Sequence, residues 1–280
     1  MNNVKYHLFP KTIDETIKYL KDPNSQLIAG GSDLSLNINQ NTETLIDIQY
    51  LPLKYINETD QGFTIGSMTT AYDIYKNEYL PQSLKETAFK VSDTPLLHAV
   101  TIGGNLAKLY PWCDLPPILW ALGSTIRLIE NNGNHKELLA DDFFVYSKER
   151  NVANRNSLIT EVFVPKAVKN SFSQYQKFTL TEIDKGQVNM ASFFSWDNEK
   201  KLIDVKIVVS AITKSIQRLP GIEKLLKGKK ISDSVIKECI NALKNDIEIV
   251  PNYKSSIEFR AEIVRTYLRR TLKACMEVQG

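Results

Sequence analysis

The chain has 280 residues, 42% of them apolar and 24% charged, which is a globular composition with enough apolar side chains for a sizeable core and a length suited to one large domain or two ordinary ones. Its 35 Lys and Arg against 32 Asp and Glu leave a net charge of +3, too even a balance to argue for a nucleic-acid or membrane-surface protein. The longest apolar stretches, such as Leu115 to Leu122, are too short to span a bilayer, and the first residues lack the apolar core of a signal peptide, so the expected location is cytoplasmic.

Thr12 and Glu15 form a capping-box pattern, and Ile13, Ile17 and Leu20 follow at helical spacing until Asp22-Pro23 stops the run. Gln26 to Ala29 reads as a strand that leads into Gly30-Gly31. Thr44 to Ile48 and Phe63 to Ile65 read as further strands, Thr69 as the cap of a helix through Tyr75, and Leu80 to Phe89 as another helix. Asp114 opens an apolar helix to Leu122, with Pro116 and Pro117 in its first turn, where proline is tolerated. Thr125 to Ile129, the Asn132-Gly133 turn and Lys136 to Leu139 predict a hairpin. After Pro165 the composition shifts. Ser171 to Phe178, Val188 to Trp196 and Leu202 to Ala211 are three strand-like runs, and the segment after Pro220-Gly221 is helical. Ser255 and Glu258 form a second capping-box pattern, ahead of an apolar stripe of Ile263, Val264, Tyr267, Leu268 and Leu272. The result is an α+β N-terminal region to about Pro165, then a smaller region of strands followed by helices.

Two segments carry the chemistry. Leu27-Ile28-Ala29-Gly30-Gly31-Ser32-Asp33-Leu34 and Thr101-Ile102-Gly103-Gly104-Asn105-Leu106 each place paired glycines after β-type residues and before small polar ones. Paired glycines turn sharply and leave no Cβ in the way of a ligand, and their successive amides can converge on an anion. An ordinary turn leading into a cap has the same pattern, and neither segment is a dinucleotide fingerprint or a phosphate loop. Cys113, Cys239 and Cys275 are odd in number and far apart. They make no disulfide framework and no ligand set for a zinc or iron–sulfur site. Cys239 and Cys275 fall on apolar helical faces, whereas Cys113 is expected to be partly accessible. His7, His98 and His135 are scattered. The lysines at 227, 229 and 230 and the pair Arg269-Arg270 read as solvated faces, or more sharply as a basic docking patch.

These motifs resemble those of the FAD-binding medium subunit of the molybdenum hydroxylases, the family of xanthine dehydrogenase, aerobic carbon monoxide dehydrogenase, nicotinate dehydrogenase and 4-hydroxybenzoyl-CoA reductase. An A-G-G motif followed by small polar residues stands at Ala29 to Asp33, and T-I-G-G-N at Thr101 to Asn105. A P-x-x-D-x-x-P pattern runs from Pro111 to Pro117, D-F-F from Asp142 to Phe144, a strand ending in proline from Leu158 to Pro165, and a Y-R-x-x-L-type helix begins at Phe259-Arg260. The six motifs occur in the family's order. The resemblance implies an α+β chain. Residues 1–166 would form an FAD-binding domain of the p-cresol methylhydroxylase type, with α/β subdomains of about 1–55 and 56–166. Residues 170–280 would form a C-terminal domain of a small antiparallel sheet and helices, with FAD extended between the two domains.

By the same resemblance the FAD-binding residues are Leu27, Ile28, Ala29, Gly30, Gly31, Ser32, Asp33 and Leu34, then Thr101, Ile102, Gly103, Gly104 and Asn105, together with Ser92, Asp114, Ile159 and Lys177. The two glycine motifs would flank the pyrophosphate, Asp114 would bond the adenosine ribose hydroxyls, Ile159 would sit at the isoalloxazine edge and Lys177 near the flavin ring. Valine at Gly30 or Gly104 is expected to abolish flavin binding by blocking approach of the cofactor. The isoalloxazine carries the redox chemistry, so no catalytic base and no metal ligand are expected on this chain. Molybdopterin and [2Fe-2S] clusters would reside on a large and a small partner subunit, and electrons would leave FAD for NAD or another acceptor. The segment Thr179 to Gln187 lacks the arginines that the family often carries there, which leaves the acceptor open. Two other readings are a stand-alone FAD-dependent oxidoreductase and a cofactor-free assembly module of the same fold.

Overall fold

The computed structural model describes residues 3–34, 38–144, 157–181, 184–252 and 254–280. The chain forms two compact units that alternate along the sequence. The first comprises Met1–Leu80, Val91–Lys108 and Gly123–Lys166, and the second Pro81–Lys90, Leu109–Leu122 and Ala167–Gly280.

The first unit holds two sheets. Strands β1 (Tyr6–Leu8), β2 (Ser25–Ile28) and β3 (Thr44–Asp47) form a parallel sheet in the order β1-β3-β2. Helix α1 (Ile13–Leu20) closes this sheet by burying Ile17 and Leu20 with Ile46, Ile48, Leu51 and Leu53. Its cap is Thr12, whose hydroxyl accepts from the Glu15 amide at 3.1 Å. The Glu15 carboxylate accepts from the Lys11 amide at 2.8 Å, one residue before the amide that the capping-box pattern predicts. The second sheet is antiparallel and contains β4 (Ile56–Glu58), β5 (Gly62–Gly66), β6 (Thr125–Glu130), β7 (His135–Leu139) and β8 (Ser157–Pro165), in the order β4-β5-β8-β6-β7. The predicted hairpin is β6–β7, and Gly133 supplies the left-handed residue of its turn, with φ +90.

Helix α2 (Ala71–Lys76) is capped by Thr70 and not by the predicted Thr69. The Thr70 hydroxyl and the Asp73 carboxylate satisfy each other's backbone amides, while the Thr69 hydroxyl donates to the Tyr55 carbonyl at 2.9 Å. A helix start needs its hydroxyl three residues before a free amide. Thr69 and Thr70 are adjacent threonines, and the acidic residue at position 73 selects the second.

The second unit is built on the antiparallel sheet β12-β11-β10-β9, comprising β9 (Ser171–Phe178), β10 (Val188–Trp196), β11 (Leu202–Ser210) and β12 (Gln217–Arg218). Alternation divides its faces. Met190, Phe194, Val205, Ile207 and Val209 join Ile222, Ile236, Val264, Leu268 and Leu272 in one core. The latter residues come from α7 (Pro220–Leu226), α8 (Asp233–Ala242) and α9 (Ile257–Gln279). The opposite face, bearing Ser173, Tyr175 and Lys177, meets α3 (Gln82–Phe89) and α6 (Leu115–Ala121). The cap of α9 is Ser256, one residue beyond the predicted Ser255. Its hydroxyl accepts from the Phe259 amide at 3.2 Å.

All three cysteines are buried, Cys113 included, contrary to the expectation that Cys113 is partly accessible. Burial pushes the thiols of Cys239 and Cys275 up to about 11 and about 12. The thiolate is the reactive form. The native chain is therefore expected to release no chromophore from a thiol-reactive disulfide reagent at pH 8, and three equivalents after denaturation. Rapid labelling of the native chain would contradict this packing.

Candidate functional site

The two glycine motifs meet in the first unit. After β2 the chain turns through Gly30 and Gly31, and the two glycines have different reasons. Gly31 has φ +72 and only the Ile28 side chain within reach of an added Cβ, at 3.6 Å, so it is a backbone-conformation glycine. At Gly30 a Cβ would lie 1.7 Å from the Ala99 carbonyl oxygen. This corrects the expected reason for Gly30: its missing side chain admits the chain's own backbone, two residues ahead of Thr101. Asp33 pairs with Lys108 at 2.8 Å, so the first motif runs beside residues 99–108 at both of its ends.

The second motif is not the loop that its glycines suggest. Its residues begin helix α5 (Ile102–Lys108), which follows the short α4 (Thr94–Leu97). The Thr101 hydroxyl accepts from the Gly104 amide at 3.1 Å, and the Thr101 carbonyl accepts from Asn105 at 2.9 Å. The amides of Ile102 and Gly103 donate to the carbonyls of Thr69 and Ser67, both at 2.9 Å. All four leading amides are thus engaged, and this helix start holds no open anion cradle. A Cβ at Gly103 would lie 2.6 Å from the Ser67 Cβ, whereas at Gly104 the one close atom is the capping hydroxyl, at 2.8 Å. Gly103 is a packing glycine; Gly104 leaves its outer face open. The first motif differs. Among the described residues none accepts a hydrogen bond from the amides of Gly30, Gly31 or Ser32, and those amides can hold an anion.

The other expected residues distribute as follows. Ile159 is buried on β8, beside Thr160, whose carbonyl accepts from the Ser67 amide at 2.9 Å. Ser67 therefore links the β8 strand to Gly103, and it was not picked out in the sequence because it belongs to no motif. Leu27 and Ile28 pair with β3, Leu34 and Ile102 are buried, and Ala29 packs on the α1 core. Ser92 donates to the Asp93 carboxylate at 3.3 Å, with no described contact to either glycine motif.

Asp114 and Lys177 lie in the second unit and touch each other. Asp114 precedes α6 but does not cap it with its side chain, because both carboxylate oxygens are engaged elsewhere. Tyr175 donates its hydroxyl to Oδ1 at 2.6 Å, and the Lys177 ammonium reaches Oδ2 at 3.2 Å. Lys177 also donates to the Lys90 carbonyl at 2.8 Å. Asp114 is 4% exposed. Burial raises its carboxyl to about 6, against the opposing pull of Lys177 and the Tyr175 hydrogen bond, and Tyr175 is itself held well above its ordinary range by burial and Asp114. The expected roles put Asp114 at the ribose end and Lys177 at the ring end of an extended cofactor. The structure brings these two side chains into direct ion contact.

Near this cluster Tyr110 stacks on Trp112, with centroids 4.7 Å apart, and the Lys185 ammonium sits 4.6 Å over the Trp112 ring. In the segment after Lys177, Asp184 pairs with Lys254 at 2.9 Å; Glu182 and Ile183 lie outside the described residues. His98 is exposed and stacks on Tyr72, and His7 pairs with Asp47 at 3.3 Å. Arg269 and Arg270 are exposed, and Lys229 pairs with Glu238 at 2.9 Å. Among the described residues no helix is long and apolar enough to cross a membrane.

Residues 2–167 match the family model described as the FAD binding domain in molybdopterin dehydrogenase, and residues 173–275 match the carbon monoxide dehydrogenase flavoprotein C-terminal domain. The chain is 25% identical to the glyceraldehyde dehydrogenase medium chain of Sulfolobus acidocaldarius, over 96% of each chain. It is 26% identical to the nicotine 6-hydroxylase medium subunit of Paenarthrobacter nicotinovorans, over 94% of each. Its fold matches a solved chain of carbon monoxide dehydrogenase from Hydrogenophaga pseudoflava with a TM-score of 0.87, at 21% identity and 98% coverage of both chains. The α+β architecture of a flavin-binding fold with an appended C-terminal domain follows from these matches. Since the first family model covers more than half of the sequence, the chain belongs to the family of FAD-binding domains of molybdopterin dehydrogenases.

Proposed function

We propose that this chain binds FAD as the medium subunit of a molybdenum hydroxylase-type oxidoreductase and relays electrons from iron–sulfur clusters on a small partner subunit to an external acceptor. The observation that carries the reading is the first glycine motif, with the amides of Gly30, Gly31 and Ser32 open and held in place by Ala99 and Lys108. Those amides fit one side of the cofactor pyrophosphate. The open face of Gly104, with Thr101 and Asn105, fits a close approach from the other side. In the second unit, Asp114, held by Tyr175 and Lys177, offers a buried carboxylate with its counter-charge. FAD, when bound, supplies the electron exchange, and the protein's part is to bind it, orient it and set the charge around it. Relatives named as medium chains of dehydrogenases and hydroxylases support a large molybdopterin-bearing partner and a small iron–sulfur partner. Three buried free thiols suit the reducing cytoplasm.

The test is a visible spectrum of the co-purified complex before and after addition of NADH. Flavin bands with iron–sulfur shoulders are expected. Bleaching by NADH assigns a nicotinamide acceptor, and bands untouched by NADH direct the electrons to ferredoxin, quinone or oxygen. A chain that stays colourless with added FAD would overturn the reading in favour of a cofactor-free module. Activity of the chain purified without partners would favour a stand-alone oxidoreductase.

A further inference from the structure

Strand β12 is two residues long and pairs with Val208 and Val209 of β11 alone. The chain then enters α7 at Pro220, so Asp204 to Ile207 have no strand on their outer edge. Side chains stand in for one. The Ile207 amide donates to Glu223 Oε1 at 2.8 Å. Arg218 donates from Nε to the same oxygen at 3.0 Å, and from Nη2 to Oε2 at 2.7 Å. Glu223 is 8% exposed, so this pair is a fixed part of the fold.

The space between this edge and α7 is a cleft of about 450 Å³, within the size range of small-molecule sites. Val205 and Pro220 give it an apolar wall, and Asp204 and the Arg218–Glu223 pair line it with charge. Lys224 and Lys227 complete the lining. Lys224 lies in α7 and Lys227 is its C-cap, and residues three apart on a helix are neighbours. The charges do not balance. Asp204 is held by Lys206 at 2.6 Å, and Glu223 by Arg218. Among the described residues no carboxylate pairs with Lys224 or Lys227. Of the basic run at 227, 229 and 230, Lys229 is committed to Glu238, and Lys227 is the member that lines the cleft.

Two unmatched ammonium groups, beside a guanidinium that is already neutralised, favour a ligand with two negative charges on one compact group. A phosphate monoester carries about that charge at neutral pH, whereas a carboxylate carries one. Lysine meets phosphate as a point charge and needs no fixed planar geometry, which suits exposed side chains on a helix. We propose that this cleft binds a small organic phosphate, with Lys224 and Lys227 on the phosphate group and the wall of Val205 and Pro220 against its carbon skeleton. All of these residues belong to the second unit, and the inference stands whether or not the chain binds FAD.

The test is isothermal titration calorimetry of the full chain with ribose 5-phosphate, with ribose and inorganic phosphate as separate titrants, all at one low ionic strength. Wild type is expected to bind ribose 5-phosphate saturably, with a Kd of about 1 mM or tighter, and not to bind ribose. Inorganic phosphate is expected to bind more weakly, because it leaves the apolar wall unused. The double variant Lys224→Gln, Lys227→Gln is expected to melt like wild type, since both side chains are exposed, and to lose about tenfold or more in affinity for ribose 5-phosphate. Lys230→Gln, an exposed lysine outside the cleft, is expected to bind as wild type does. No saturable binding to wild type overturns the site, as does equal binding by the double variant. An equal loss in Lys230→Gln overturns it too, because the effect is then one of net charge. Inorganic phosphate that binds as tightly as ribose 5-phosphate overturns the organic ligand.

Discussion

Alanine at Gly30 is expected to prevent recovery of folded chain, while alanine at Gly104 leaves the fold intact and weakens flavin binding. At Gly30 the new methyl would sit 1.7 Å from the Ala99 carbonyl oxygen, and backbone on both sides leaves nothing flexible to yield. Separating the two segments would also strain the Asp33–Lys108 pair. The loss belongs with the severe class of single substitutions, about 4 kcal/mol or more. At Gly104 the one atom to be moved is the Thr101 hydroxyl, 2.8 Å away. Disturbing that cap costs about 1 kcal/mol, and replacing glycine by alanine within a helix returns about the same. Stability therefore stays near wild type, and the methyl occupies the open face, with a loss of FAD affinity on the order of tenfold. Thermal melts and FAD fluorescence titration check both halves. A Gly30→Ala chain that melts like wild type would remove the packing argument, and a Gly104→Ala chain that binds FAD normally would remove Gly104 from the site.

Lys177→Met is expected to destabilise the chain by about 3–5 kcal/mol at pH 7 to 8, because it leaves the Asp114 carboxylate buried without its counter-charge. Much of that loss should be recovered in the Asp114→Asn, Lys177→Met double variant, which buries no charge at this position. The pH dependence follows from the direction of the Asp114 shift. Its folded value of about 6 lies above the ordinary 3.8, so between these values the folded state binds the extra proton. The stability linked to this group is complete below pH 3.8 and is lost as pH rises through about 6, by roughly 3 kcal/mol in total. Urea unfolding from pH 4 to pH 8 should show this decline against the background of the other groups, and Asp114→Asn should remove it. If the variant has the same pH profile as wild type, Asp114 is not the titrating group.

The parts of the fold that were legible in the sequence are those with local causes. The three strands after Pro165 alternate over eight or nine residues and stand where the pattern places them. The β6–β7 hairpin has its Asn132-Gly133 turn. By contrast β1, β4 and β12 are two or three residues long, too short for a period to register, and only pairing with distant strands makes them strands. Glycine is a poor helix former, so Gly103-Gly104 reads as a loop; the helix exists because Thr101 caps it and the carbonyls of Ser67 and Thr69 take its free amides. Asp114 and Lys177 were picked out as residue types, but their contact was not legible, and Tyr175 was not picked out at all. Asp114, Tyr175 and Lys177 are more than sixty positions apart on the two sides of their contact, and nothing local announces that they meet. Arg260 sits in an ordinary amphipathic helix, where an arginine usually faces water, yet it is buried and donates to the Ala211 carbonyl.

The interleaving of the two units has a consequence for how the chain is made. Segments 81–90 and 109–122 emerge from the ribosome between pieces of the first unit, yet belong to the second. Leu115 to Ala121 are all buried in the finished fold, and the sheet that meets them begins at Ser171. During synthesis this apolar helix must wait for more than fifty further residues before its partner exists. Such non-local closure slows folding and leaves sticky surface exposed meanwhile. A fragment cut near residue 166 keeps the apolar helix and discards the strands that cover it, so the flavin-binding half is ill suited to life on its own, and the C-terminal half acts as the scaffold on which it is completed.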